Sequence, residues 1–223
     1  IMTTVSEAIK KRHSARAFTD RDVDIDTVKS IIQIAKQSPS GVNTQPWNVY
    51  VLSGDARDKL VNEATSRYDQ GKMDGQEYLV YPKEMPDWYK ERRRAVGWAM
   101  YGAIGIEKGD TEKMMAQGRK NYEFFGAPVG IFITVKNCVG PNGWGHVGHF
   151  IQNVCLLAIE NGLATCLQEA WAELPKLVRE HVDYPEDETL WCGIALGYED
   201  ETDPVNQFRT EREDLENFSK FFK

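Results

Sequence analysis

Apolar positions along the chain change period several times, and each change marks a new element. Val28, Ile31, Ile32 and Ala35 recur at the i, i+3, i+4, i+7 spacing of one buried helical face, with Asp26 ahead of them as N-cap and Pro39 as the stop. A shorter helix is expected from about Val5 to Lys11, running out into Arg12-His13-Ser14-Ala15-Arg16. Trp47 to Leu52 reads as a strand closed by Ser53-Gly54-Asp55, and Val129 to Val135 (VGIFITV) is apolar and β-prone enough for a central strand. From about Val147 to Asn161 a helix is apolar over most of its circumference and ends at Gly162. Leu163–Leu167 and Leu190–Leu196 predict two further strands, separated by a helix near Leu174–His181. The alternation lacks a regular βαβ rhythm, so the expected class is α+β, one domain over residues 1–223 with helices packed around one sheet.

Three segments depart from this pattern. Ser38 to Pro46 has almost nothing to bury and holds two prolines, which predicts an ordered loop. About 69–125 is polar, aromatic and irregular, with one helix through Asp87–Tyr101, and has the length of a lid over a site. Its Arg92-Arg93-Arg94 points three ways on a helix and reads as solvated surface. The tail from about 203 to 223 ends in Phe218, Phe221 and Phe222, each leaving roughly 1.5–3 kcal/mol of burial unrealised in water, so it must dock on its own core or a partner.

Composition narrows the function. A formal charge of −7 argues against nucleic acid, which needs a basic face. No apolar run approaches a membrane span, and Ile1 to Lys11 lacks the apolar core of a secretory signal, so a cytoplasmic location is expected. Cys138, Cys155, Cys166 and Cys192 are widely spaced among apolar residues and read as buried thiols. His146 and His149 make an i, i+3 pair without a third marked ligand, so no metal site is expected. No glycine fingerprint for a dinucleotide or nucleoside triphosphate is present. Against this acidic background the run at Arg12–Arg16 stands out, because guanidinium forks suit phosphate or carboxylate; taken alone, such a run is more often a charged helix end.

Read in order, R-H-S-A-R, S-P-S-G-V-N-T-Q-P-W, F-G-A-P-V-G-I-F-I-T-V and the late arginine of R-E-D-L-E resemble the FMN-dependent nitroreductase family over about Val5 to Phe218. The texture of Y-P-K-E-M-P-D-W-Y-K-E-R-R-R resembles its nitrobenzoate-reductase branch. The resemblance implies a three-layer fold with a mainly antiparallel sheet, and an intertwined homodimer whose C-terminal arm wraps the partner and whose two FMN sites lie at the interface. It implies hydride transfer from NADH or NADPH to flavin N5 and onward to a nitroaromatic or quinone-like acceptor by ping-pong turns. Reductive dehalogenation on the same scaffold, or flavin binding without turnover, are the alternatives.

Residue by residue, the resemblance assigns Arg12, His13, Ser14 and Arg16 to FMN, with Arg12 and Ser14 toward the phosphate and Arg16 toward the pyrimidine, where it tunes the flavin. Arg212 matches the late phosphate contact, and Arg209 shares that work. Pro39, Ser40, Gly41 and Asn43 match the loop that meets the flavin of the other subunit. Gln168, Glu169 and Ala170 match the backbone beside N5. G-W-G-H-V-G-H-F carries His146 and His149 where the family pattern places an acidic residue.

Overall fold

The computed structural model describes residues 3–223; Ile1 and Met2, at the start of the segment read for a secretory signal, lie outside the described residues. The chain runs α1 (Val5–Lys11), α2 (Ile25–Ala35), β1 (Trp47–Ser53), α3 (Gly54–Asp69), α4 (Asp87–Ala103), α5 (Thr111–Arg119), β2 (Val129–Lys136), α6 (Pro141–Glu160), β3 (Ala164–Gln168), α7 (Pro175–Val182), β4 (Glu188–Gly197) and a last turn α8 (Leu215–Phe218). The strands form one antiparallel sheet in the order β1-β2-β4-β3. The α+β expectation and all its strand positions hold.

The pleat of β2 divides the interior. Val129, Ile131, Ile133 and Val135 pack with α2 and α6 on one face, while Phe132 packs with α3, α7 and the aromatic segment before β2 on the other. Helices therefore cover both faces of the sheet. The second face owes its shape to missing side chains. A Cβ at Gly130 would lie 2.3 Å from Phe124 Cζ, and one at Gly193 would lie 2.4 Å from Trp171 Cδ1. Into these gaps fit Phe124 and Trp171, stacked at 4.8 Å, with Tyr122 and Phe132 edge-on to Trp171 at 5.3 and 5.1 Å. Reaching them strains the backbone: Phe124 and Phe125 have φ of 52° and 53°, in the left-handed region. Arg57 holds that turn by donating to the carbonyls of Glu123 and Ala127, each at 2.8 Å.

Several expectations need correction. The N-cap of α2 is Asp24, whose carboxylate accepts from the N–H groups of Asp26 and Thr27. Helix α6 begins at Pro141, not about Val147, because proline suits a first helical turn and the glycine-rich start hides the apolar period. Helix α3 was not anticipated at all; only Leu60, Ala64 and Thr65 of its sixteen residues are buried. The 69–125 excursion holds a second helix, α5, and its end enters the core through Tyr122, Phe124 and Phe125. Cys138 is exposed beyond β2, whereas Cys155, Cys166 and Cys192 are buried. Arg92, Arg93 and Arg94 are exposed as expected.

The excursion is anchored at its base. The Asp74 carboxylate accepts from the N–H groups of Lys176 and Leu177 at 3.0 Å and pairs with Arg67 at 3.2 Å, capping α7, which opens on Pro175 without a capping side chain of its own. Beyond that point α4 buries no residue, and Trp88, Val96 and Trp98 stay exposed.

Gly193→Ala tests the packing of the second face. Overpacking a filled core costs about 1–3 kcal/mol, so thermal unfolding of the variant is expected roughly 2–12 °C below the parent, with altered near-ultraviolet dichroism. An unchanged Tm would show that Trp171 is not held by this contact.

Candidate functional site

Strand β3 organises the site. Past α1 the chain is extended and lies beside β3: Ser14 bridges Thr165, and the Ala15 N–H donates to the Thr165 carbonyl at 3.0 Å. His13 anchors the run, with Nε2 2.8 Å from Glu199 Oε1 and Nδ1 3.0 Å from the Lys11 carbonyl. Arg12, Ser14 and Arg16 are half-buried. The Arg16 N–H donates to Asn206 Oδ1 at 2.8 Å, and its guanidinium donates to the Ser14 carbonyl at 3.2 Å. Asn206 is buried, and its amide donates to the carbonyls of Ala17 and Asp200, each at 2.8 Å. Arg209 donates to the carbonyls of Asn206 and Phe208, so Asn206 brings it to the basic run. Arg212 instead curls onto Thr210 and Glu211 and is exposed.

Three residues further along β3, about 10 Å at the rise of a strand, Gln168, Glu169 and Ala170 wall a cavity of about 660 Å³. Helix α6 contributes Ile151 and Gln152, and the excursion contributes Gln76, Val80 and Tyr81. Tyr122 donates its hydroxyl to the Ala170 carbonyl at 3.1 Å, which fixes this turn from below. The Gln168 amide nitrogen donates to the Asn121 carbonyl at 2.7 Å, leaving Oε1 buried without a partner. Glu169 reaches solvent through the cavity, yet the surrounding protein desolvates it and raises its carboxyl above the ordinary range, against a lowering hydrogen bond from Trp191. Tyr78 donates to the Trp191 carbonyl at 2.6 Å and packs on Trp144 at 4.9 Å, closing an aromatic corner.

The loop expected from Ser38 to Pro46 is ordered, and α6 holds it. His146, His149 and Asn153 lie at i, i+3, i+7 on one face. The Gly41 N–H donates to His146 Nε2 at 3.2 Å, His149 Nδ1 donates to the Pro39 carbonyl at 3.3 Å, and Asn153 donates to Ser38 Oγ at 2.7 Å. Ser40 Oγ accepts from the Gln45 N–H at 2.9 Å. Glycine lets His146 close on this loop, since a Cβ at position 41 would lie 3.0 Å from His146 Cε1 and the imidazole would have to yield. Val42, Asn43 and Gln45 have positive φ, and Val42 is 98% exposed, so the loop projects strained and uncovered.

The structure thus brings Arg12–Arg16, Arg209 and Gln168–Ala170 together along β3. Among the described residues no hydrogen bond joins Pro39–Asn43 or Arg212 to them. Sequence reasoning missed Asn206, Glu199, Asn153 and Tyr122. Asn206 lies in D-P-V-N, a turn signal, and nothing local reveals a partner 190 residues away. Among the described residues no group of three or more His, Cys, Asp or Glu could hold a metal, and no helix is long and apolar enough to cross a membrane.

Comparison with known proteins places this geometry. The profile of the nitroreductase family matches residues 9–198. The chain is 35% identical to a 4-nitrobenzoate reductase of Nocardioides sp. (strain LMS-CY), over 96% of this chain and 87% of that protein. It is 32% identical to a nitrobenzene nitroreductase of Ectopseudomonas oleovorans, over 97% of this chain and 96% of that protein. The crystal structure of an FMN and NADPH-dependent nitroreductase, NfnB from sphigopyxis sp. strain HMH, superposes with a TM-score of 0.94 at 37% identity, covering 99% of both chains. On the profile match and on this identity over nearly the whole chain, the chain belongs to the nitroreductase family.

Proposed function

We propose that this protein is an FMN-dependent nitroreductase that takes hydride from NADH or NADPH and reduces small nitroaromatic compounds. One observation carries the reading: β3 sets a basic run about 10 Å from a cavity of about 660 Å³, spacing suited to a cofactor with an anionic end and a ring end. The residues fit FMN. A phosphate suits the half-buried Arg12 and Ser14 with Arg209 nearby, and the orphaned Gln168 Oε1 suits a ring bearing an N–H. Bound there, FMN supplies the redox chemistry by accepting hydride at N5 and passing it on. The protein's share is placement. Gln168, Glu169 and Ala170 present backbone along the ring edge, and Tyr122 and Trp171 keep that edge rigid. Arg16 places positive charge where reduction adds negative charge. Similarity to nitroreductases favours this reading over reductive dehalogenation.

The site is completed by a second copy of the chain. Phe218, Phe221 and Phe222 are 67, 77 and 91% exposed, and the Trp88, Val96 and Trp98 side chains of α4 are uncovered as well. The Arg92–Glu213 ion pair ties these two surfaces into one face. A homodimer covers it, and the projecting Pro39–Asn43 loop then reaches the partner's flavin. Gln76, Val80 and Tyr81 make the first part of the 69–125 excursion the lid of the cavity.

Two measurements test this. Losing the charge-assisted contact of Arg16 costs about 1.5–3 kcal/mol on the reduced side. Arg16→Gln is therefore expected to lower the potential of bound FMN by roughly 30–60 mV, since 30 mV is about 1.4 kcal/mol for two electrons. Arg12→Gln, at the phosphate end, is expected to weaken FMN binding in both redox states and to leave the potential nearly unchanged. Loss of FMN from Arg16→Gln at an unshifted potential would instead make Arg16 a phosphate ligand. Deleting residues 214–223 removes the phenylalanines and leaves Asn206 in place. The truncated chain is expected to be monomeric or aggregating in sedimentation, and a stable dimer would refute the arm.

A further inference from the structure

The charged groups of the cavity wall all have one sign. Among the described residues of one subunit its carboxylates are Glu169 and Glu173, and no lysine, arginine or histidine lines it. The rest is uncharged: the rings of Tyr81, Tyr122 and Trp191, side-chain amides such as Gln152, and apolar side chains such as Val80 and Ile151. Arg93 lies over the Tyr81 ring at 4.7 Å, exposed and outside the lining itself. Glu173 already accepts from the Gln76 amide, and no cation pairs with Glu169 among the described residues. Resting on the nitroreductase reading above, we propose that this cavity selects uncharged nitroarenes and rejects those carrying a carboxylate, with Glu169 as the discriminating charge.

The physical ground is like-charge exclusion in a confined space. An aromatic acceptor flat against the ring edge beside Gln168–Ala170 would bring a ring carboxylate into the same poorly solvated volume as Glu169, where charges interact more strongly than in water. The amides and hydroxyls of the wall are neutral donors, so a carboxylate finds no cation there to offset its repulsion from Glu169 and the unpartnered acceptor Gln168 Oε1. An uncharged ring keeps the aromatic contacts and pays neither penalty. Similarity does not decide the question, because the relatives include a 4-nitrobenzoate reductase and a nitrobenzene nitroreductase at nearly equal identity.

The exclusion depends on pH with a definite sign. The Glu169 carboxyl is raised by desolvation, so it takes up a proton at a higher pH than an ordinary carboxyl and the exclusion weakens as pH falls. The groups facing it are Glu173, Trp191, Tyr78 and Cys192. Burial raises both Tyr78 and Cys192, so neither carries charge at neutral pH.

The test compares 4-nitrobenzamide with 4-nitrobenzoate, which match in shape and differ in charge, using FMN-loaded protein and NADPH. The parent is expected to prefer the amide in kcat/KM by about tenfold or more, equivalent to 1.4 kcal/mol. Glu169→Gln should reduce that ratio severalfold, and Glu173→Gln should shift it the same way by less. In the parent the ratio should fall as pH drops toward 5.5, and this dependence should vanish in Glu169→Gln. Because a poorly folded variant loses both activities together, the ratio and its pH dependence report charge rather than folding. A parent that prefers 4-nitrobenzoate, or a ratio that neither variant moves, would overturn the inference while leaving the nitroreductase reading intact. Failure of FMN-loaded, NADPH-reduced protein to turn over either arene would overturn the nitroreductase reading itself.

Discussion

The contact between Trp171 and the bare backbone of Gly193 sets the geometry on which the site depends. Trp171 directly follows the Gln168–Ala170 segment, so wherever the indole seats, the cavity wall follows. Its seat is defined by the absence of a side chain at Gly193 on β4 and by the stack with Phe124, which itself occupies the gap left by Gly130 on β2. Tyr122 then reaches over the indole to the Ala170 carbonyl. Interiors packed at crystal density transmit such constraints with little slack. The precision of the wall is therefore a property of two strands and a strained aromatic turn lying beneath it.

A second constraint is electrostatic and joins chain segments far apart in sequence. In a protein of net charge −7, Arg12, Arg16 and Arg209 must be gathered without a local reason to gather. A single buried amide does it. Asn206 satisfies the Arg16 N–H and two carbonyls, while its own carbonyl takes Arg209. An unpaired buried amide is costly, so Asn206 ties the run after α1 to the segment after β4, and the cation cluster follows from that satisfaction.

How much of this was legible in the sequence depended on whether the determining contacts were local. The strands and α1 announced themselves by period and composition. Helix α3 did not, because a helix that buries three side chains leaves hardly any stripe. The start of α6 was hidden behind Gly143, Gly145 and Gly148, which carry no hydrophobic signal, although Pro141 was a usable cue. The motif residues were found, but only in combination; alone, Arg12–Arg16 remained a charged helix end. His146 and His149 stayed unassigned because their partners, Gly41 and Pro39, lie over 100 residues upstream. Cys138 was misread because an apolar neighbour in sequence, Val139, is no guarantee of burial where a strand has just ended.

The segment from Gln76 to Ala103 contributes nothing to either core cluster, yet it walls the cavity through Gln76, Val80 and Tyr81. Its base is locked by Asp74 on α7 and by Tyr78 on the Trp191 carbonyl of β4, and beyond Tyr81 the chain through α4 is exposed or only half-buried. Substitutions away from a core usually change stability by less than about 0.5 kcal/mol. This outer stretch of the cavity wall can therefore be rewritten at little cost to the fold, while the wall on β3, set from beneath by Trp171, cannot.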